Sequence, residues 1–328
     1  MRILRSAGIS LLIPMCLAMP GVGNAQAPVT GTVSEDTGAS SGDLTHAIYL
    51  VGLSDAKPGT QGQLHLDPEA LEFNSGEIHA AIPLNQITAV NIGDERTERG
   101  GTAGQVARRV IPFGGGPALG VASQKSVDLL TVEYRDPQQG YHGAVFVLPT
   151  KQALGLQQKI LAKIAPPQPT PAPACSDAPP ISASVLVEPI EVNGVDLPAE
   201  YRVLLYEHLI TELKSRQPSD TYFRAGDIST GPGCTSLTLH VTVDSLKKGN
   251  RALRASTGPL GMFLGTTSIS FQMTLNNVAG KTVFDSKQKK KSNRRDSDSL
   301  NVARSIAKDL SKKMEKAMSK NQSGLQTL

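Results

Sequence analysis

Between residues 45 and 149 short apolar runs follow one another, and in several of them the apolar positions recur with a period of two. Leu64 and Leu66 flank His65, and Leu71 and Phe73 flank Glu72, as in strands with one buried face. The runs HAIYLVG, GQLHLD, ALEF, EIHAAI, ITAVNIG, VDLLTVEY and GAVFVL are bounded by Gly, Pro, Asp and Asn turns and predict seven strands. After Pro149 the period changes. Ala153, Leu156, Ile160 and Ile164 recur at helical spacing with Leu154 and Leu161 beside them, while Lys151, Gln157, Lys159 and Lys163 face away. An amphipathic helix therefore closes this unit. One long Gly- and Arg-containing segment, 94–126, interrupts it between two strands and predicts a loop; its apolar VIPFGGGPALGV reads as a contact surface or as flexible cover.

The pattern breaks at APPQPTPAPACSDAPP, residues 165–180, whose prolines exclude a helix or a central strand and predict a stiff, extended linker. Beyond it, helix and strand mix. ASVLVEPI reads as a strand, and Asp196 is placed to cap a helix with Pro198 near its first turn. Leu205, Leu209 and Leu213, with Tyr206 and Ile210, form the buried stripe of that helix. SLTLHVTVDSL follows as a strand with Leu237, Leu239, Val241 and Val243 on one face. RALRAS predicts another, and TTSISFQMTLNNVAGKTVFDSK a hairpin turning at 277–280. The end is helical, with Leu300, Ala303, Ala307, Leu310, Met314 and Ala317 in one stripe and Asp296 or Asp298 as its cap. The expectation is two domains, a mainly-β unit with a C-terminal helix at 45–164 and an α+β layer sandwich (β-α-β-β-β-β-α) at 181–320. A leader at 26–44 and a tail at 321–328 are expected to be disordered.

Composition adds a compartment. The chain has 328 residues and a net charge of +4. Arg2 and Arg5 precede an apolar stretch from Ala7 to Met19 that is too short to span a bilayer, and Gly23-Asn24-Ala25 ends it in a small residue. This predicts a signal peptide at 1–25, cleaved after Ala25, and hence a periplasmic or secreted protein. Ile13-Pro14-Met15 lacks the small residue that a lipidation site needs just before Cys16. No later segment reaches the ~20 apolar residues of a membrane span. Cys175 and Cys234 remain after cleavage, and in an oxidising compartment they predict one disulfide.

The candidate chemistry is sparse. The stretch KKGNRALRASTGPLGMFLG, 247–265, sets glycines beside cations, but neither it nor GGGPALG at 114–120 has the spacing of a dinucleotide loop. AGKT at 279–282 ends like a phosphate loop, yet Leu275 stands where such a loop needs glycine. None of the six histidines pairs at helical spacing or sits beside a cysteine, so zinc is not indicated, and no GxSxG elbow exists for a hydrolase. The expectation is a protein without cofactor, metal or catalysis. The basic run KQKKKSNRRDS carries Lys287, Lys289, Lys290, Lys291, Arg294 and Arg295. It reads as a solvated loop or, with the apolar turn from Pro259 to Leu264 as a wedge, as a peripheral envelope-surface contact for anionic lipid, where each cation is worth roughly 1 kcal/mol. Export argues against nucleic acid. Met262, Phe263 and Leu264, at a glycine-bearing turn, are either core or offered to a partner.

Two resemblances extend this reading. The order GQLHLDPEALEF, AAIPLNQITAVNIG, VDLLTVEYRD, GAVFVL and helix resembles the pleckstrin-homology-like superfold, particularly its bacterial GRAM-type members, and implies a β-barrel closed by a helix. The loop LSDAKPGTQG holds only Lys57, so headgroup binding is not carried over. The stretch VDSLKKGNRALRASTGPLGMFLGTTSISFQMTLNNVAGKTVFDS resembles the bacterial exported family called domain of unknown function 4410, on Gly249, Asn250, Arg251, Ala252, Arg254, Gly258, Gly261, Gly265 and Gly280. It departs from that family at Met262-Phe263-Leu264, where small residues are more usual. The resemblance implies an envelope binding or assembly role with an unknown protein or envelope partner, and no reaction.

Overall fold

The computed structural model describes residues 44–76, 78–98, 124–149, 151–164, 179–230, 234–247, 268–291 and 299–325. The signal peptide, the leader up to residue 43, the linker at 165–178, RALRAS, the turn at 258–265, and Asp296 and Asp298 lie outside them.

The described residues of Gly42–Leu328, one compact unit, form two sheets. The first contains β1 (Thr45–Val51), β2 (Gln61–Leu66), β3 (Ala70–Ser75), β4 (Ile78–Pro83), β5 (Ile87–Glu98), β6 (Gln124–Arg135) and β7 (Tyr141–Pro149). Every strand read from the alternation is present. Their order is β4-β3-β2-β1-β7-β6-β5, antiparallel throughout. β4 and β5 are edges that do not pair with each other among the described residues, so the barrel implied by resemblance is not closed. The loop expected at 94–126 is shorter than its sequence suggests, because β5 and β6 run on as a ladder out to Glu98 opposite Gln124. Helix α1 (Gln152–Leu161) lays Ala153, Leu156 and Ile160 on the inner face, with Leu64, Phe73, Leu130 and Phe146. Gln157 does not face away as its position in the pattern suggests; its Nε2 donates to the Val90 carbonyl at 2.8 Å.

The second sheet has the order β10-β8-β11-β12-β13. It contains β8 (Ile181–Val187), β9 (Glu191–Val192), β10 (Thr221–Arg224), β11 (Thr235–Lys247), β12 (Ser268–Asn277) and β13 (Thr282–Lys291). β8 and β9 lie one after the other along the same side of β11, parallel to it. Among the described residues β11 pairs directly with β12, from Leu237 opposite Asn277 to Lys247 opposite Ser268. β9 and β10 are too short for periodicity to reveal. Helices α2 (Ala199–Arg216) and α3 (Ser299–Leu325) cover one face of this sheet; α3 reaches past the expected start of the tail.

α2 departs from its reading in two ways. Pro198 stands at its N-cap with no side-chain cap bond, so Asp196 does not cap it. Its burial also extends well beyond the expected stripe, to Glu200, Tyr201, Val203, Leu204 and Glu207. The reason is a second contact: α2 packs on the outer face of β5, β6 and β7 as well as against α3 and the second sheet. Gly143 on β7 and Gly93 on β5 make that approach possible. A Cβ on Gly143 would stand 2.5 Å from Val203 Cγ1, and one on Gly93 would stand 2.7 Å from Glu200 Oε1.

Candidate functional site

The groups singled out from sequence divide cleanly. Lys287, Lys289, Lys290 and Lys291 belong to β13, an edge strand, and not to a basic loop. Arg294, Arg295, Met262, Phe263, Leu264 and Cys175 lie outside the described residues. Cys234 is disulfide-bonded, and its carbonyl accepts from the Ile181 N–H at 2.9 Å. Within β13 the pleat sorts the cations. Lys290 turns to the covered face, where its Nζ meets Asp309 of α3 at 2.5 Å, while Lys287, Lys289 and Lys291 are exposed on the other side.

The densest cluster of titratable groups lies elsewhere, in a seam where the turn between β6 and β7 meets α2 and β10. Glu207, 5 % exposed, accepts both guanidinium nitrogens of Arg224, at 2.8 and 2.9 Å, and the Gly143 N–H at 3.1 Å. Arg224 also donates to the Tyr141 carbonyl at 3.0 Å and lies over the Tyr206 ring. Burial alone would lower the Arg224 pKa, but the Glu207 carboxylate and its hydrogen bonds carry it upward, so the guanidinium stays charged. Next to it, His142 Nε2 is 3.0 Å from Asp136 Oδ2, and Asp136 Oδ1 accepts the Gly140 N–H. The ring stacks on Tyr134, and its buried Nδ1 stands 4.0 Å from Glu207 Oε1 without a hydrogen-bond partner. Burial, then the charge of Arg224, hold the His142 pKa below its ordinary value. Glu133 completes the seam, accepting from Tyr141 Oη at 2.8 Å and from Arg202 at 3.2 Å. Burial and that carboxylate push the Tyr141 phenol well up.

A His–Asp pair beside a buried carboxylate resembles acid–base machinery, and here the pair is held within the fold. A general base needs a ring nitrogen within reach of a substrate proton. Nε2 of His142 is taken by Asp136, and Nδ1 is buried against Glu207. Glu207 and Glu133 are likewise committed within the fold. No sequence spacing links Glu133, Asp136, His142, Glu207 and Arg224. The one trace is a glutamate placed among large apolar residues in VLLYEHLI.

The remaining five histidines are scattered: His46 lies on β1 and His240 on β11, His65 contacts Asp67, His79 contacts Asn74, and His208 lies half-buried on α2. Among the described residues no group of three or more His, Cys, Asp or Glu is placed to hold a metal ion. Likewise no helix there is long and apolar enough to cross a membrane.

No family model and no curated protein matches the chain. Two solved structures of PelC dodecamers from Paraburkholderia phytofirmans are similar to part of it, each at 13% identity and a TM-score of 0.29. They cover 42% and 39% of this chain and 88% and 83% of theirs.

Proposed function

We propose that this is an exported, non-catalytic protein that acts through contacts with a protein or another component of the cell envelope. The observation that carries the reading is the seam. Among the described residues, Glu207, Arg224, Asp136 and His142 of the seam are engaged within the fold, and the Glu207 contacts join the two sheets across α2. They act as a latch. Export rests on the N-terminal pattern, and the disulfide fits it: the chain leaving residue 175 reaches Ile181, which is hydrogen-bonded to Cys234, so we pair Cys175 with Cys234. Peptide mapping without reductant is expected to recover that linked pair; a bridge from Cys234 to Cys16 would contradict both pairing and cleavage. The strand order β4-β3-β2-β1-β7-β6-β5, with α1 over the inner face, supports the pleckstrin-like reading of 45–164 as one domain, with 181–320 as the second.

The contact reading is tested with the full chain carrying a photo-crosslinking residue at exposed positions on both sheets, presented to an envelope fraction. Adducts of discrete mass from neighbouring positions are expected. Their absence from every position, or a turnover activity abolished by His142→Gln without loss of stability, would contradict it.

A further inference from the structure

We propose that the outward face of β13 is a docking rail for a linear acidic polysaccharide. The proposal rests on the contact reading above and names the chemistry of the partner. β11, β12 and β13 are in register, so Lys287 faces outward beside Gln272, Lys289 beside Ser270 and Ser245, and Lys291 beside Ser268 and Lys247. Alternate residues of a strand are about 6.8 Å apart on one face. The result is a straight row of three cations with a fourth, Lys247, about 10 Å to its side, two strand spacings away. None of the four forms an ion pair with another described residue, whereas Lys290, on the opposite face, is paired with Asp309. The helices α2 and α3 cover the other face, and Lys247, Lys287, Lys289 and Lys291 are exposed on this one.

Edge strands carry lysine to resist pairing with other chains, and β13 gains that protection. Lys247 stands beyond the β9 pairing, where among the described residues β11 is paired on its β12 side alone, so the same protection extends to it while it adds a fourth cation to the face. The floor between the cations is Ser245, Ser270, Thr242 and Gln272, hydroxyls and an amide suited to sugar hydroxyls. The outward positions of β11, β12 and β13 carry no Phe or Tyr among the described residues, so the platform on which single-stranded nucleic acid stacks its bases is missing. A planar anionic bilayer fits less well. Glu191 of β9 lies on the same face, hydrogen-bonded to Thr242, and a flat surface would meet it together with the lysines. A chain following β13 passes Glu191 at about 14 Å, three strand spacings away. That exceeds the screening length of roughly 8–10 Å at moderate salt. Asp285, held by Gln272, ends the row.

The full chain is titrated with polygalacturonate, with neutral dextran, oligodeoxythymidylate and phosphatidylglycerol vesicles as comparison probes. Polygalacturonate is expected to bind tightest. The triple variant K287Q/K289Q/K291Q is expected to lose at least about tenfold in affinity, and its log–log salt slope to flatten by about two. A charge-matched triple on the exposed side of α3, K308Q/K312Q/K313Q, is expected to stay within about twofold of wild type. Unchanged thermal midpoints show that both variants fold. Equal losses in both triples, tighter binding to vesicles or oligonucleotide, or no binding of polygalacturonate would overturn the rail. None of these touches the crosslinking result, so the contact reading stands or falls separately.

Discussion

Glu207 and Arg224 pose the sharpest energetic question, because a charge buried without its partner is costly. Removing one member of such a pair typically costs about 3–5 kcal/mol, whereas replacing both with apolar residues of similar size is often neutral. Glu207→Gln is therefore expected to lower unfolding stability by an amount in that range, and Glu207→Met with Arg224→Met to recover most of it in urea titrations. A reaction centre would not be rescued in this way. The half-buried His208 sets a pH dependence. Burial and then the charge of Arg304 depress its pKa from 6.5 to about 4. Between those values the unfolded chain binds the proton and the folded chain does not, so stability falls as pH drops through that window and is complete above it. His142, also shifted downward, acts in the same direction. His208→Gln is expected to flatten the slope of stability against pH between about 6.5 and 4.

At the scale of elements, the strands were legible where their environment is one-sided. β2 and β3 alternate because one face is covered. β6 and β7 do not: Leu129, Leu130, Thr131 and Val132 are all buried, and so are Ala144, Val145, Phe146 and Leu148. Consecutive apolar residues in a strand are the sequence trace of a second covering layer, and here that layer is α2. The same contact explains why the stripe on α2 was read too narrowly. The seam was illegible for a different reason, since its members come from β6, β7, α2 and β10 and meet only through topology. The basic run was misread as a loop because lysines on an edge strand and lysines in a loop look alike in sequence. The α2 contact is tested at Gly143. Gly143→Ala is expected to destabilise the fold, and Val203→Ala to relieve much of that loss, so that a double-mutant cycle gives a coupling of about 0.5–3 kcal/mol. Additive losses would mean that α2 does not rest on β7.

For the whole molecule, the consequence is that two sheets divided by a proline-rich segment are held together by a shared helix and a buried ion-pair seam. Val51 and Val145 of the first sheet belong to the same core as α2, α3 and the second sheet. On the proposed reading, contacts with partners fall to the outward faces, where the β13 cations and the exposed side of α3 lie. The most direct measurement is guanidinium unfolding of the full chain, read by hydrogen exchange on peptides from β6 and β7 and, in parallel, on peptides from β12 and α3. One coincident midpoint is expected for both sets, and Glu207→Gln is expected to move both down together. Two separate midpoints, with the Glu207→Gln loss confined to the β12 and α3 peptides, would contradict the account.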